Sequence, residues 1–258
     1  MTGPWSPVSP CGPTCLPDRD REVPTALVLL RLAVLIGLLP LGVLLALLPA
    51  GLRRWWSPRW FRAVLRAVGV RWVVRGTPPE RGELVVAHHV SWLDVVLLQA
   101  VGPLRMVAKA ELRDWPLLGG VAHRFGVLFL HRDRLRALPG AVAEVSGALR
   151  SGAVVGAFPE GTTWCGRSAG RFRPALFQAA LDAGAPVRPV ALRYLAAGAP
   201  TTAVAFVGEA SLLSSVLGVA RCSGLVAEVA FRPPCRADDR RGLARSAQES
   251  AQGSALPV

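Results

Sequence analysis

The chain has 258 residues, 52% of them hydrophobic, with 30 lysines and arginines against 17 acidic residues. This length holds one sizeable domain plus an appendage, and the net charge of +13 calls for an anionic partner, either a membrane surface or nucleic acid. Five cysteines supply no disulfide framework, and without Cys-x-x-Cys or His-Glu-x-x-His spacing they argue against zinc: Cys11 and Cys15 lie in a Pro/Gly-rich start, while Cys165, Cys222 and Cys235 are scattered.

Residues 1–24 read as a disordered polar tail, and 25–70 as a membrane-associated helical segment. Leu32 to Leu52 is a run of 21 uncharged residues, which as a helix extends about 31 Å, close to the hydrocarbon thickness of a bilayer. Pro40 and Pro49 interrupt it, so a bent pair of helices dipping into one leaflet fits as well as a straight span. The run is long for a signal peptide and lacks a clear small-x-small cleavage site. A buried core helix is the bland alternative.

Trp56, Trp60, Phe61, Val64, Leu65 and Val68 follow at helical spacing, with Arg59, Arg62 and Arg66 on another face. That pattern suits the headgroup region, and equally an amphipathic helix on a core. Arg53, Arg54, Arg59, Arg62 and Arg66 crowd the later side of the apolar run. The positive-inside rule then places the main domain in the cytoplasm, attached to the cell membrane with its cysteines reduced. Because the basic residues cluster around an apolar segment, no nucleic-acid partner is expected.

From Arg71 short apolar runs alternate with helical stretches. Strands are expected at 72–75, 84–87, 104–108, 127–130, 153–158, 187–193, 202–207 and 225–231. Helices are expected at 92–100, 116–125, 135–150, 172–183 and 212–219. This alternation predicts an α/β fold: a mixed, largely parallel sheet flanked by helices, spanning residues 71–235. Residues 236–258 read as a polar C-terminal tail, in part a charged helix. Sites in such folds gather beyond the C-terminal ends of strands, and three segments end there.

The first is His88-His89-Val90-Ser91-Trp92-Leu93-Asp94, holding two of only four histidines. A histidine beside a carboxylate can take a proton from a hydroxyl near neutral pH. His89 and Asp94 are five apart, about 140° around a continuous helix, and so share no face of one. With Ser91 as N-cap, Asp94 points back to the turn that holds His89. Ser91 to Asp94 is also a capping-box spacing, so Asp94 as a mere cap stays open. The second segment, Gly126 to Arg132, carries a guanidinium fit for phosphate, or an ordinary surface arginine. The third, Phe158-Pro159-Glu160-Gly161-Thr162-Thr163, combines a carboxylate, a turn glycine and hydroxyls. Gly166-Arg167-Ser168-Ala169-Gly170 matches Gly-x-Ser-x-Gly, but no histidine follows His131, so a serine hydrolase is disfavoured.

Together these segments resemble the glycerophospholipid acyltransferase family, of the bacterial lysophosphatidate acyltransferase (PlsC-like) type. His89 to Asp94 is similar to its His-x4-Asp block, with His88 where Asn usually stands. Gly126–Arg132, Phe158–Thr163 and Ala185–Val190 are similar to its other three blocks, and Val107–Leu112 to its lysine-bearing segment. The resemblance implies that His89 is a general base oriented by Asp94, acting on an acyl-CoA or acyl-carrier-protein thioester without an acyl-enzyme. It implies that Lys109 and Arg132 hold an acceptor phosphate, and that Glu160, Gly161 and Thr162 shape the glycerol site. No metal or resident cofactor is expected. Expected partners are membrane lipid, a lysophospholipid acceptor, the acyl thioester donor and acyl carrier protein. Lysophosphatidic acid is the expected acceptor. Thr163 stands where many phosphatidate-forming members have Arg, as it does in those that acylate lyso-ornithine lipid. A non-catalytic lipid-binding protein is the rival from another class.

Overall fold

The computed structural model describes residues 7–16, 22–131 and 135–252. Two helices come first, α1 (Thr25–Leu47) and α2 (Ala50–Ala67), with Pro49 as N-cap of the second. The apolar run is thus bent between two helices. Among the described residues α1 is the one helix long and apolar enough to cross a bilayer, and only 11% of its most apolar window is buried. Its one charge is accommodated rather than exposed. Arg31 turns back to donate to the carbonyls of Ala220 and Cys222 at 2.7 and 2.9 Å. Gly42 lets the Trp60 indole lie against α1, where Nε1 donates to the Leu38 carbonyl at 2.9 Å.

Eight strands form one sheet: β1 (Arg71–Arg75), β2 (Leu84–Ala87), β3 (Arg105–Lys109), β4 (Leu128–Leu130), β5 (Val155–Ala157), β6 (Val187–Ala196), β7 (Ala199–Pro200) and β8 (Leu225–Phe231). Their order is β1-β8-β6-β2-β5-β3-β4, with β7 pairing β6. Among the described strands only the β6 pairings with β7 and β8 are antiparallel. The expected mixed, largely parallel sheet flanked by helices is therefore present. The interposed helices are α3 (Trp92–Val101), α4 (Leu118–Arg124), α5 (Leu138–Arg150), α6 (Ala175–Ala183) and α7 (Leu212–Arg221).

β2 explains itself. Its four residues are all buried because parallel neighbours flank both edges and helices cover both faces. Val85 and Ala87 pack with Leu65, Leu93 and Leu97 on one face, while Leu84 and Val86 pack with Phe177 and Leu243 on the other. A bidentate Arg188–Glu83 pair, at 2.5 and 2.7 Å, locks β6 to the start of β2. The opposite ends of β2, β5, β3 and β4 all emerge along one edge.

Three expectations differ from the fold. Residues 202–207 are turns, not a strand: the Phe206 N–H donates to the Val90 carbonyl at 2.9 Å instead of to a sheet neighbour. The C-terminal stretch is not merely a tail, since α8 (Arg240–Gln252) buries Leu243, Ala244, Ala247 and Ala251 on the sheet. Residues 7–16 of the expected disordered start form a docked segment with a 3-10 turn at Pro13–Cys15. There Cys11 is buried, and Thr202 donates to the Cys15 carbonyl at 2.7 Å.

Candidate active site

β2 ends at Ala87, and the chain turns through His88, His89 and Val90 before Ser91 caps α3. Asp94 lies at the third position of that helix, fully buried. Its Oδ2 meets His89 Nδ1 at 2.8 Å and accepts the N–H groups of Val90 and Ser91 at 2.7 and 2.8 Å. Capping and orienting the histidine are thus one arrangement, and the two readings coexist. Oδ1 accepts the Tyr194 hydroxyl at 2.5 Å. Burial first, and then the Asp94 charge, push the Tyr194 phenol well above its ordinary value, so it stays a donor.

A carboxylate on Nδ1 sets the tautomer: Nδ1 carries the proton and Nε2 keeps its lone pair. The His89 side chain is 21% exposed, and its ring stacks on Phe158 with centroids 4.0 Å apart and planes 8° apart. This leaves Nε2 as the ring nitrogen able to take a proton.

Glu160 does something the sequence did not announce. Its side chain is wholly buried, and it faces the His88–His89 turn. One oxygen accepts the His89 N–H at 2.7 Å; the other meets His88 Nδ1 at 2.9 Å and accepts the Gly170 N–H at 2.6 Å. Both oxygens of Glu160, expected to shape the glycerol site, are engaged within the protein and hold the His88–His89 turn. His88, in the usual asparagine position, is its partner and packs on Phe172, with ring centroids 4.7 Å apart. His88 Nε2 and Trp92 Nε1 are buried and lack a hydrogen-bond partner among the described residues.

The rest of the third segment wraps the same turn. Gly161 has φ +78°, and a Cβ there would come within 2.8 Å of Pro7 Cγ, so the turn needs glycine twice over. Thr162 is half-buried beside it. The Thr163 hydroxyl donates to the Phe206 carbonyl, and the Trp164 N–H donates to the His89 carbonyl at 2.7 Å. Ser168 lies on an exposed turn with no helix following until Ala175, which is not a nucleophile elbow.

Lys109 ends β3, exposed, with Nζ 6.0 Å from the Trp115 ring centroid. It pairs in register with Leu130, whose strand leads to His131. Arg132 lies outside the described residues. The structure thus gathers His89, Asp94, Glu160, Gly161 and Thr162 at the ends of β2 and β5, with Lys109 at the end of the next strand. Tyr194 and Phe206 were missed, as was the stacking role of Phe158. Tyr194 stands 100 residues from Asp94 in sequence, with no motif joining them.

Comparison with known proteins points the same way. The family model described as Acyltransferase matches residues 71–193. A lyso-ornithine lipid O-acyltransferase of Pseudomonas aeruginosa is 38% identical over 215 residues, covering 80% of this chain and 81% of that protein. A 1-acyl-sn-glycerol-3-phosphate acyltransferase of Neisseria meningitidis is 36% identical over 194 residues, covering 73% and 76%. The crystal structure of the 1-acyl-sn-glycerophosphate acyltransferase PlsC from Thermotoga maritima aligns with a TM-score of 0.65 at 20% identity, covering 88% of this chain and 92% of that one, which shows a shared fold.

Proposed function

The chain belongs to the acyltransferase family, and on that premise we propose that it esterifies the free hydroxyl of a lysophospholipid with the acyl group of a thioester. The observation that carries this reading is the His89–Asp94 pair. Nδ1 is fixed at 2.8 Å on a buried carboxylate while Nε2 is left for the acceptor. Nε2 takes the hydroxyl proton as the acceptor oxygen attacks the thioester carbonyl. The C–S bond then breaks, and the departing sulfur takes the proton back from the imidazolium. Asp94 stabilises that imidazolium, and no acyl-enzyme forms. The donor is acyl-CoA or an acyl-carrier-protein thioester.

Lysophosphatidic acid is the first acceptor. Lys109 supports it, being two strands from β2 and hence about 10 Å away at normal strand spacing, within reach of a phosphate on a lipid whose hydroxyl lies at His89. A specific observation favours a second acceptor, lyso-ornithine lipid. The third segment has Thr163 where a phosphate-binding arginine would stand, and its hydroxyl is committed to the Phe206 carbonyl. The Pseudomonas relative bears that activity in its name.

The enzyme works at a membrane, entering it through α1. Trp55 and Trp56 of α2 are exposed beside it, with the Arg59 guanidinium 3.7 Å from the Trp55 ring centroid. The arginines of α2, by the positive-inside rule, favour a cytoplasmic side for the catalytic domain. The deciding experiment assays purified protein with acyl-CoA and acyl-carrier-protein donors against a panel of lyso-lipids, with His89→Ala as control. Esterification of one acceptor that falls by at least about 10²-fold in the folded control is expected for loss of a general base. Equal turnover by His89→Ala overturns the mechanism; no turnover of any lyso-lipid overturns the reaction.

A further inference from the structure

Three cysteines far apart in sequence meet beside the catalytic turn. The thiols of Cys11, Cys15 and Cys165 all lie within 4.8 Å of one another. None of them is in a disulfide. Cys11 and Cys15 bracket the 3-10 turn of the docked N-terminal segment, so both sulfurs come from one compact hairpin of chain. Cys165 follows Trp164, whose N–H donates to the His89 carbonyl. The Cys165 N–H donates to Cys11 Sγ at 3.4 Å across 154 residues of sequence. Cys11 and Cys165 are buried at 7% and 2% exposure, while Cys15 is partly open to solvent.

We propose that Cys11, Cys15 and Cys165 form a thiolate site for a thiophilic divalent cation of the Zn²⁺ class, which clips the N-terminal segment onto the catalytic loop.

The local backbone is built for such an ion. The backbone N–H groups of Arg167 and Ser168, two and three residues after Cys165, favour its thiolate. Gly166 has φ +88°, the left-handed bend that lets the chain fold back over its own sulfur. Burial, the strongest influence on the Cys165 thiol, pushes it up, but these donors together with Cys11 and Cys15 bring it below its ordinary value. Burial pushes the Cys11 thiol up, so a cation must displace its proton in order to bind there.

Three thiolates suit Zn²⁺ and other soft or borderline ions and discriminate against Mg²⁺ and Ca²⁺. No fourth histidine, cysteine or carboxylate joins the group among the described residues. The fourth position falls to solvent, on the side of the half-exposed Cys15. In a reducing compartment the three sulfurs persist as thiols, ready to ligate. The sequence argued against zinc because no local spacing fits; the site is assembled by the fold.

The placement gives the ion a task. Pro7 lies against Gly161, four residues ahead of Cys11 and four ahead of Cys165 respectively. Holding Cys11 and Cys15 on Cys165 therefore holds Pro7 over the glycine turn and steadies the loop that carries Glu160 and Trp164.

The test uses the reduced full chain in detergent, titrated with Co²⁺. A thiolate-to-cobalt charge-transfer band is expected, saturating at one ion per chain and abolished by Zn²⁺. Cys11→Ser, Cys15→Ser and Cys165→Ser should each weaken binding at least about 10-fold, as loss of a ligand does, while Cys222→Ser and Cys235→Ser leave it unchanged. A band absent from the wild type, or surviving in the first three variants, overturns the site. So does recovery of a Cys11–Cys165 disulfide whose reduced form takes up no ion. Because those variants can disturb folding, wild-type protein is also alkylated with and without Zn²⁺ and mapped by mass spectrometry. Zn²⁺ should shield Cys11, Cys15 and Cys165 but not Cys222 or Cys235; equal labelling of all five overturns the proposal. Neither readout depends on acyl transfer, so the site and the catalytic reading fail separately.

Discussion

Asp94→Asn isolates the charge of the dyad from its geometry. The native carboxylate accepts from His89 Nδ1, Val90 N, Ser91 N and the Tyr194 hydroxyl. An asparagine oxygen can keep the first three, and Tyr194 can rotate to accept from the amide. The structural cost is therefore small, about 1 kcal/mol. The catalytic cost is larger because an imidazolium exists only once the acceptor proton has moved. With the two charge centres about 4 Å apart and an effective dielectric near 20, the attraction is about 4 kcal/mol. The amide dipole recovers part of it, leaving a loss of about 10²- to 10³-fold in kcat. The assay is acyl-CoA turnover with a saturating lyso-lipid, beside a thermal melt. A loss below about tenfold in a folded variant would refute the reasoning, since the carboxylate would then be acting only as the helix cap.

Glu160→Gln replaces one acceptor oxygen by a donor and leaves one of three donors facing an N–H; we expect kcat to fall roughly 10- to 100-fold through misplacement of His89, with acceptor KM nearly unchanged, whereas a direct acceptor contact would raise KM. Tyr194→Phe leaves Asp94 Oδ1 without its donor and should cost about 1.5–3 kcal/mol of stability at neutral pH. The raised phenol pKa means that this contribution is whole below about pH 10 and fades as pH climbs from there through the folded-state value. Melts from neutral to strongly alkaline pH should therefore show the gap between wild type and variant narrowing only above about pH 10; a constant gap contradicts the assignment. Lys109→Ala should raise KM for lysophosphatidic acid about tenfold, the worth of one charge-assisted contact, and leave kcat nearly intact. Equal KM values with this acceptor would remove Lys109 from the phosphate site.

The sequence made legible what is encoded by contiguous pattern. β2 and β8 match their expected bounds because each is a short apolar run closed by turn residues, and α3 because Ser91 and Asp94 announce its start. Residues 202–207 misled because Val204, Ala205 and Val207 are indeed buried, yet Phe206 and Thr202 spend their hydrogen bonds on loops. Burial follows hydrophobicity, whereas strand pairing depends on a partner that hydrophobicity cannot name. α8 was faint for the converse reason: its buried face is three alanines and one leucine amid arginine and glutamine. In the site, His89 and Asp94 were legible because they sit five apart. Tyr194 and the cysteine trio were not, because only the sheet order and the docked N-terminal segment bring them there.

The hydrogen bonds around His89 also say where selectivity can reside. Its N–H goes to Glu160, its carbonyl receives the Trp164 N–H, and the next carbonyl, of Val90, receives the Phe206 N–H. The Thr163 hydroxyl donates to the carbonyl of that same Phe206. The first and third sequence segments are thus one hydrogen-bonded unit, and its polar groups are largely spent on holding the histidine. A base must be fixed to fractions of an ångström to act, and a residue fixed that way cannot also adapt to different headgroups. Discrimination among acceptors then falls to groups with unspent valence at the same sheet edge. Among the described residues Lys109 is such a group: exposed at the end of β3 and beside Trp115. On the proposed mechanism the reaction would be set at the ends of β2 and β5, and the choice of lipid at the end of β3.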